Sequence, residues 1–140
     1  MNIDRVKELY LEKDYNCAES ILIFANEEYG LGLNDDSIKL IGAFGGGMGC
    51  GKVCGALAGA VAAIGKMEIT ERAHATATLK EHTAEYVARF AEVFGDVDCV
   101  KVKEKKFVEG VRCLNTVLES TELFSAFVKE KGLSKRDLDI

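Results

Sequence analysis

The sequence predicts an all-α fold: a single-domain bundle of about six to seven helices, with a glycine-rich loop before a central helix. The 140 residues contain no proline, so no proline interrupts a helix. Apolar residues recur at helical spacing, most clearly between Leu79 and Phe94, and no segment alternates apolar and polar residues as a strand would. The length fits one domain, residues 1–140, with a core of its own.

Capping residues and glycines mark the expected helix ends. Asn16 precedes Glu19 by three residues, which is the spacing of a capping box, and a glycine after an apolar run commonly ends a helix. The expected helices span residues 4–13, 16–30, 34–44, 52–66, 70–95 and 107–131, with a further one that carries Cys99 and begins at Asp96 or Asp98. Residues 132–140 are expected to form a frayed tail.

A glycine-rich segment separates the third expected helix from the fourth. Five of the seven residues in 45–51 are glycine, a composition that does not favour regular structure. Backbone without side chains can approach a ligand closely, so this loop is a candidate cofactor-binding element. The candidate positions are Gly45, Gly46, Gly47 and Gly49.

The fourth helix carries a small residue at every fourth position. Glycine inside a helix costs about 1 kcal/mol relative to alanine, so this repetition needs a packing reason. We therefore expect a central helix that a neighbour crosses closely, which would hold the nearby Cys54 in a defined place. The same stripe allows a homodimer, although packing within one chain explains it equally well. It consists of Gly51, Gly55, Gly59 and Ala63.

A partial phosphate-binding motif overlaps the glycine segment. Gly46, Gly51 and Lys52 match most of a P-loop, but Val53 stands where the motif needs the serine or threonine that binds magnesium. No alternating strand–helix pattern surrounds the motif. The sequence therefore predicts no nucleotide cofactor.

Charge and hydropathy argue against several other classes of function. A net charge of −5 disfavours nucleic-acid binding, which depends on Lys and Arg at the phosphates. Glu104 dilutes the basic run 101–106, which we interpret as a solvated helix face. The longest uncharged run, 53–65, is shorter than the about 20 residues that span a bilayer, so no stable membrane insertion is expected. The N-terminus lacks a signal-peptide pattern, and the expected location is cytoplasmic.

The cysteines are the strongest candidates for chemistry. Their number is odd and thiols stay reduced in the cytoplasm, so a disulfide framework is not expected. Three of them fall in the expected first turns of helices, where unpaired N–H groups and the helix dipole stabilise a thiolate. Cys113 is expected inside the last helix, facing inward with Val117 and Phe124. The three at helix starts are Cys17, Cys54 and Cys99, and Cys50 lies four residues before Cys54.

The opposite interpretation is that the cysteines are inert. Free cysteine is among the most buried residue types and packs as a small apolar side chain. No two cysteines have the C-x-x-C spacing of zinc or thioredoxin motifs, and the haem signature C-x-x-C-H does not occur. The residues alone therefore leave both a redox or metal centre and simple core packing open.

Several segments together resemble a known family. Residues 16–19 (NCAE), 43–49 (AFGGGMG) and 54–59 (CGALAG), followed by Cys99 and Cys113, are similar to the C_GCAxxG_C_C family of redox-active proteins. The similarity covers essentially the whole chain, and Cys50 falls outside the family pattern. The hallmark cysteines that the resemblance implies are Cys17, Cys54, Cys99 and Cys113.

The resemblance and the cysteine placement favour a redox protein that binds an iron–sulfur cluster or another metal for electron transfer with a redox partner protein. The four hallmark cysteines are then the metal ligands, and zinc is less favoured because it has no redox chemistry. One alternative is a thiol–disulfide oxidoreductase or redox sensor, with Cys54 and Cys17 as catalytic residues and Cys50 as a further thiol. Two others are a non-catalytic helical binding module with inert cysteines and a glycine loop that binds a small ligand. All depend on whether the sulfur atoms meet.

Overall fold

Seven α-helices form the described part of the chain, which is residues 2–134 of a computed structural model. This confirms the predicted all-α fold, and the described residues contain two isolated β-bridges but no strand. None of the described helices is both long and apolar enough to span a membrane. The helices are α1 (Ile3–Lys7), α2 (Cys17–Tyr29), α3 (Asp35–Gly42), α4 (Gly55–Glu68), α5 (Leu79–Phe94), α6 (Cys99–Lys106) and α7 (Leu114–Lys131).

Helices α2 and α4 pack closely at the centre of the fold. Gly59 has no room for a side chain, because a Cβ atom there would lie 2.6 Å from the carbonyl oxygen of Ala18. The expectation that a neighbour crosses α4 closely is therefore confirmed, and the contact lies within one chain. Gly51 is not part of this packing, since it belongs to the turn before the helix and faces Val100.

Local signals explain both ends of α2. The Asn16 side chain accepts a hydrogen bond from the N–H of Glu19 at 2.9 Å, and the Glu19 carboxylate accepts one from the N–H of Asn16 at 3.0 Å. Gly30 ends the helix in the left-handed conformation, with a φ of 60°. The predicted capping box is confirmed, and it fixes the position of Cys17 in the first turn.

Aromatic side chains of α5 and α7 fill the other half of the core. The ring of Tyr86 meets those of Phe124 and Phe127 edge to face, with centroids 6.1 and 5.1 Å apart. Phe90 and Phe94 are also fully buried. The helical periodicity that predicted α5 therefore marks its buried face.

Helices α4 and α5 begin later than expected. The N–H of Cys54 donates to the carbonyl of Val97 at 2.7 Å, and Val53 pairs with Asp98 in an antiparallel bridge, so residues 52–54 are extended. Helix α5 was expected from Thr70, but residues 70–78 contain no large apolar side chain to pack against the core. A helix without such packing is marginal in water, and this segment forms only the 3₁₀ turn Ala73–Ala75.

Helix α7 begins at Leu114, later than the expected residue 107, and this difference changes the position of Cys113. Residues 107–113 form a tight turn in which Val108 and Arg112 pair in an antiparallel bridge. Gly110 and Arg112 have φ values of 92° and 54°, which an α-helix does not allow. Cys113 is therefore the N-cap of α7 and does not lie inside it. Gly132 ends α7 as expected, and most of the expected frayed tail, residues 135–140, lies outside the described residues.

Candidate functional site

Four cysteines from four helices line one cavity of about 200 Å³, which we call the cysteine cavity. Residues that are far apart in the sequence are thus gathered by helix packing, as a redox or metal centre requires. Cys50 is exposed on the glycine-rich turn of residues 45–51, which we call the glycine turn, and it does not line the cavity. The four lining cysteines are Cys17, Cys54, Cys99 and Cys113.

Each of these four cysteines stands at the N-terminal end of a helix. Cys17 and Cys99 are the first residues of α2 and α6, whereas Cys54 and Cys113 are the N-caps of α4 and α7. The N-terminal end of a helix carries unpaired N–H groups and the positive end of the helix dipole, which favour anions. Four helices therefore begin at the wall of one cavity, an arrangement that suits a negatively charged ligand.

Without a bound ligand, burial opposes the stabilisation of thiolates by the helix starts. It raises the pKa of Cys54 to about 12, and charge on Cys17 raises that pKa as well, although two backbone N–H groups of α4 lower it. Burial also raises the pKa of Cys99 and of Cys113. The expected stabilisation of a thiolate by the helix start is therefore outweighed at Cys54, whose thiol is protonated at neutral pH.

The thiols are close enough to influence one another. After burial, which is the largest effect, charge on Cys17 contributes to the raised pKa of Cys54, Cys99 and Cys113 alike. Lys103 acts in the opposite direction on Cys99 and Cys113. Charge on Cys99 raises the pKa of Cys54 and of Cys113 as well, by a smaller amount.

A comparison with protein families identifies the motif that carries these cysteines. The model of the family described as "Putative redox-active protein (C_GCAxxG_C_C)" matches residues 15–127, a range that contains all four cavity cysteines. The chain belongs to the C_GCAxxG_C_C family. Comparisons with curated proteins and with solved structures gave no significant match. Membership of the C_GCAxxG_C_C family therefore assigns redox activity in general terms, without a defined cofactor or substrate.

Tyr10 is a cavity residue that the sequence did not indicate. It lies in the π-helical turn Glu8–Glu12 that follows α1, and π-helical turns are frequent at functional sites. Its hydroxyl accepts a hydrogen bond from the N–H of Cys113 at 3.1 Å. The guanidinium carbon of Arg112 lies 4.7 Å from the centre of its ring. In the sequence, Tyr10 was only one of several apolar residues on the first helix, so no local signal marked it.

Two cations line the cysteine cavity beside the family cysteines. Arg112 precedes Cys113 and donates to the carbonyl of Tyr10 at 3.3 Å, and Lys103 follows Cys99 by one helical turn. Their adjacency to cysteines is the available sequence signal, although the composition of the basic run around Lys103 favours a solvated helix face. Both side chains are placed to balance negative charge in the cavity.

The glycine turn contributes less to the cavity wall than expected. Of the candidate positions, Gly46 lines the cavity. Gly47 packs against α6, because a Cβ atom there would lie 2.6 Å from that of Cys99, and Gly45 packs against the side chain that caps α2. Gly49 faces open space. Cofactor binding by this turn stays a prediction, and its observed contacts position Cys99 and the start of α2.

The donor atoms of the cavity bear on which metal centre fits it. No three His, Cys, Asp or Glu side chains in residues 2–134 form a group that could hold one metal ion. The four cavity thiols are nevertheless the ligand types that both zinc and iron–sulfur clusters use. The donor chemistry therefore fits either centre.

Proposed function

We propose that this member of the C_GCAxxG_C_C family is an electron-transfer protein whose four cavity cysteines bind an iron–sulfur cluster. The observation that carries the proposal is the convergence of four cysteines, each at the start of a helix, on one cavity. A cluster held in this way accepts and donates single electrons. The ligands are Cys17, Cys54, Cys99 and Cys113.

The charges around the cavity support an anionic centre. Four thiolates bring four negative charges, of which a [2Fe–2S] or [4Fe–4S] core neutralises only part. Each helix start stabilises a nearby anion by about 0.3–1 kcal/mol, and four of them meet here. Lys103 and Arg112 add two full positive charges at the cavity wall.

The protonation of the thiols favours metal binding over nucleophilic chemistry at Cys54. A thiol attacks a disulfide only as the thiolate, and burial holds the pKa of Cys54 at about 12. Metal binding instead replaces the thiol proton and compensates the buried charge directly. Thiol–disulfide exchange with Cys54 as the attacking residue is therefore the weaker hypothesis, and it becomes an outcome of the test below.

The redox description of the family supports a cluster over a single zinc ion, because zinc has no redox chemistry. No group of three side chains within residues 2–134 is arranged to hold one ion. In an iron–sulfur cluster the cysteine ligands are distributed over several iron ions, which undergo the redox change.

The state of the cysteines supports a reducing, cytoplasmic location. All five are free thiols, and thiols of this kind persist where glutathione and thioredoxin keep them reduced. A redox partner protein would supply or remove the electron. A homodimer is not needed to complete the site, because one chain supplies all four ligands.

Iron and acid-labile sulfide analysis of anaerobically purified protein tests the proposal. We expect iron and sulfide in equal amounts, with visible absorption that bleaches on reduction, and an unchanged content in Cys50→Ser. A folded protein without iron would overturn the proposal. Zinc in place of iron would indicate a structural site, and a cysteine pair that oxidises reversibly in the iron-free protein would indicate thiol chemistry instead.

A further inference from the structure

Helix α6 presents an exposed stripe beside the mouth of the cysteine cavity. Val100 and Lys103 lie three residues apart on α6, and Phe107 is the C-cap that follows the helix. We call these three residues the α6 stripe. Val100 is 51% exposed and Phe107 is 47% exposed, which is high for apolar side chains of this size. Lys103 and Phe107 also line the cavity, so the stripe borders the four cysteines directly.

The stripe continues into neighbouring apolar surface. Val108 follows Phe107 and is 45% exposed. At the other end, Val100 covers Gly51, where an added Cβ atom would overlap its methyl group. Exposed apolar side chains that are contiguous and rimmed by charge are typical of protein interaction sites, whereas single ones are common and carry no such meaning.

The charge of this region is opposite to that of the chain as a whole. Helix α6 contains four lysines and one glutamate, although the net charge of the protein is −5. Lys101 and Lys106 lie 3.9 and 2.9 Å from carboxylates of Glu104 and Glu119. Lys103 is placed differently, with its ammonium 5.9 Å from the centre of the Phe107 ring. The mouth of the cavity therefore combines a positive charge with an exposed aromatic side chain.

We propose that the α6 stripe docks an acidic one-electron carrier protein over the cysteine cavity. This rests on the proposed function and names its partner. Carboxylates of the carrier pair with Lys103, and its apolar surface covers Val100 and Phe107. In the exchange, the carrier is oxidised by one electron and this protein is reduced by one, and no covalent bond forms or breaks. Small interfaces with an apolar centre and complementary charge are typical of electron-transfer partners.

A protein partner fits the stripe better than a nucleic acid or an anionic membrane. Nucleic acids are bound by many Lys and Arg side chains at phosphates, and this helix interrupts its lysines with Glu104. The exposed apolar side chains of Val100 and Phe107 match the apolar centre of a protein interface. These other occupants are outcomes of the test.

The experiment titrates the ¹⁵N-labelled full-length protein with an acidic [2Fe–2S] ferredoxin and follows amide chemical shifts. Because both proteins are negative overall, net charge alone predicts tighter binding as salt screens their repulsion. Docking at the stripe predicts that salt weakens binding, with a Kd that rises at least about fivefold from about 20 to about 200 mM salt. We expect the largest shifts between residues 99 and 108.

Two variants with equal charge change separate local docking from net charge. Lys103→Glu is expected to weaken binding by at least about tenfold and Lys103→Arg to preserve it, because close charge pairs dominate specificity at such interfaces. Lys39→Glu, on an exposed lysine of α3, makes the same change in net charge and is expected to have little effect. Phe107→Ala is expected to weaken binding without altering its salt dependence.

Four results would overturn the docking proposal. They are absence of binding, binding that salt strengthens, equal effects of Lys103→Glu and Lys39→Glu, and comparable binding of duplex DNA or anionic vesicles at the same residues. The titration detects binding whether or not metal is present. Iron analysis therefore tests the proposed function separately, and an iron-free protein that still binds at α6 would refute the electron-transfer role alone.

Discussion

Gly55 lies directly against Cys17, so closely that a side chain on Gly55 would overlap the Cys17 sulfur. The same crossing of α2 and α4 that packs the core therefore also positions two cavity cysteines, since Cys54 precedes Gly55. Packing and the proposed site are linked at this contact, and the linkage can be tested with glycine substitutions in one helix.

Gly55→Ala is expected to lower stability by about 1–3 kcal/mol, as overpacking does, and to reduce the iron content by displacing the Cys17 sulfur. Gly65→Ala is the matched control in α4, because its Cβ atom would meet only Ile69 at 3.8 Å. In that control the free energy of unfolding should rise by up to about 1 kcal/mol, because alanine favours a helix more than glycine does, and the iron content should not change. Urea denaturation and iron analysis measure both effects. Equal behaviour of the two variants would contradict the proposed role of Gly55.

Tyr10→Phe is expected to lower the free energy of unfolding by about 1 kcal/mol, because the N–H of Cys113 loses the hydroxyl that accepts its hydrogen bond. The comparison is Tyr15→Phe, which removes a hydroxyl from a more exposed ring. Urea denaturation of both variants gives the difference. If Tyr10→Phe is as stable as the parent protein, the hydrogen bond does not help to hold the start of α7.

Asn16→Ala is expected to lower the free energy of unfolding by about 1 kcal/mol more than Asn34→Ala does. Both asparagines cap a helix, which is worth about 1 kcal/mol, but Asn16 also donates from its amide nitrogen to the carbonyl of Gly42 at 2.8 Å. Thermal or urea unfolding measures the difference. Equal losses would show that the bond between Asn16 and Gly42 contributes nothing.

The metal-free protein is expected to lose stability as the pH rises from about 9 towards 12. The pKa of Cys54 is raised from its ordinary value of 9.0 to about 12, so in this range the unfolded chain releases a proton that the folded chain retains. The contribution is complete below about pH 9 and declines above it, by at most about 1.4 kcal/mol per pH unit for this one thiol. Cys54→Ala should reduce the slope measured by urea denaturation at several pH values. An unchanged slope would contradict the burial of this thiol.

The helix ends that the sequence predicted correctly are those with local signals. Asn16, Glu19 and Gly30 fix α2 through side-chain and backbone bonds within a few residues. The predicted starts of α4, α5 and α7 were wrong. Contacts with distant residues, or the lack of contacts with the core, decide where these helices begin. The bond from Cys54 to the carbonyl of Val97 is an example, since no local pattern encodes a partner 43 positions away.

The cysteines that share the cavity were predictable from the sequence, and their surroundings were not. Helix-start placement pointed to Cys17, Cys54 and Cys99, the resemblance added Cys113, and the common cavity of all four is observed. The pKa of Cys54 could not be inferred, because its direction depends on burial that only packing defines. Tyr10 and Arg112 were missed for a similar reason, since they reach the cavity from a π-helical turn and a tight turn that no sequence pattern marked.

The iron content of single cysteine variants tests the central claim most directly. Serine is introduced in turn at each of the four cavity cysteines and at the exposed Cys50, and iron per folded chain is measured after anaerobic purification. We expect each of the four cavity variants to lose most of its iron and Cys50→Ser to retain the content of the parent protein. Equal iron in all five variants, or none in the folded parent protein, would contradict the account.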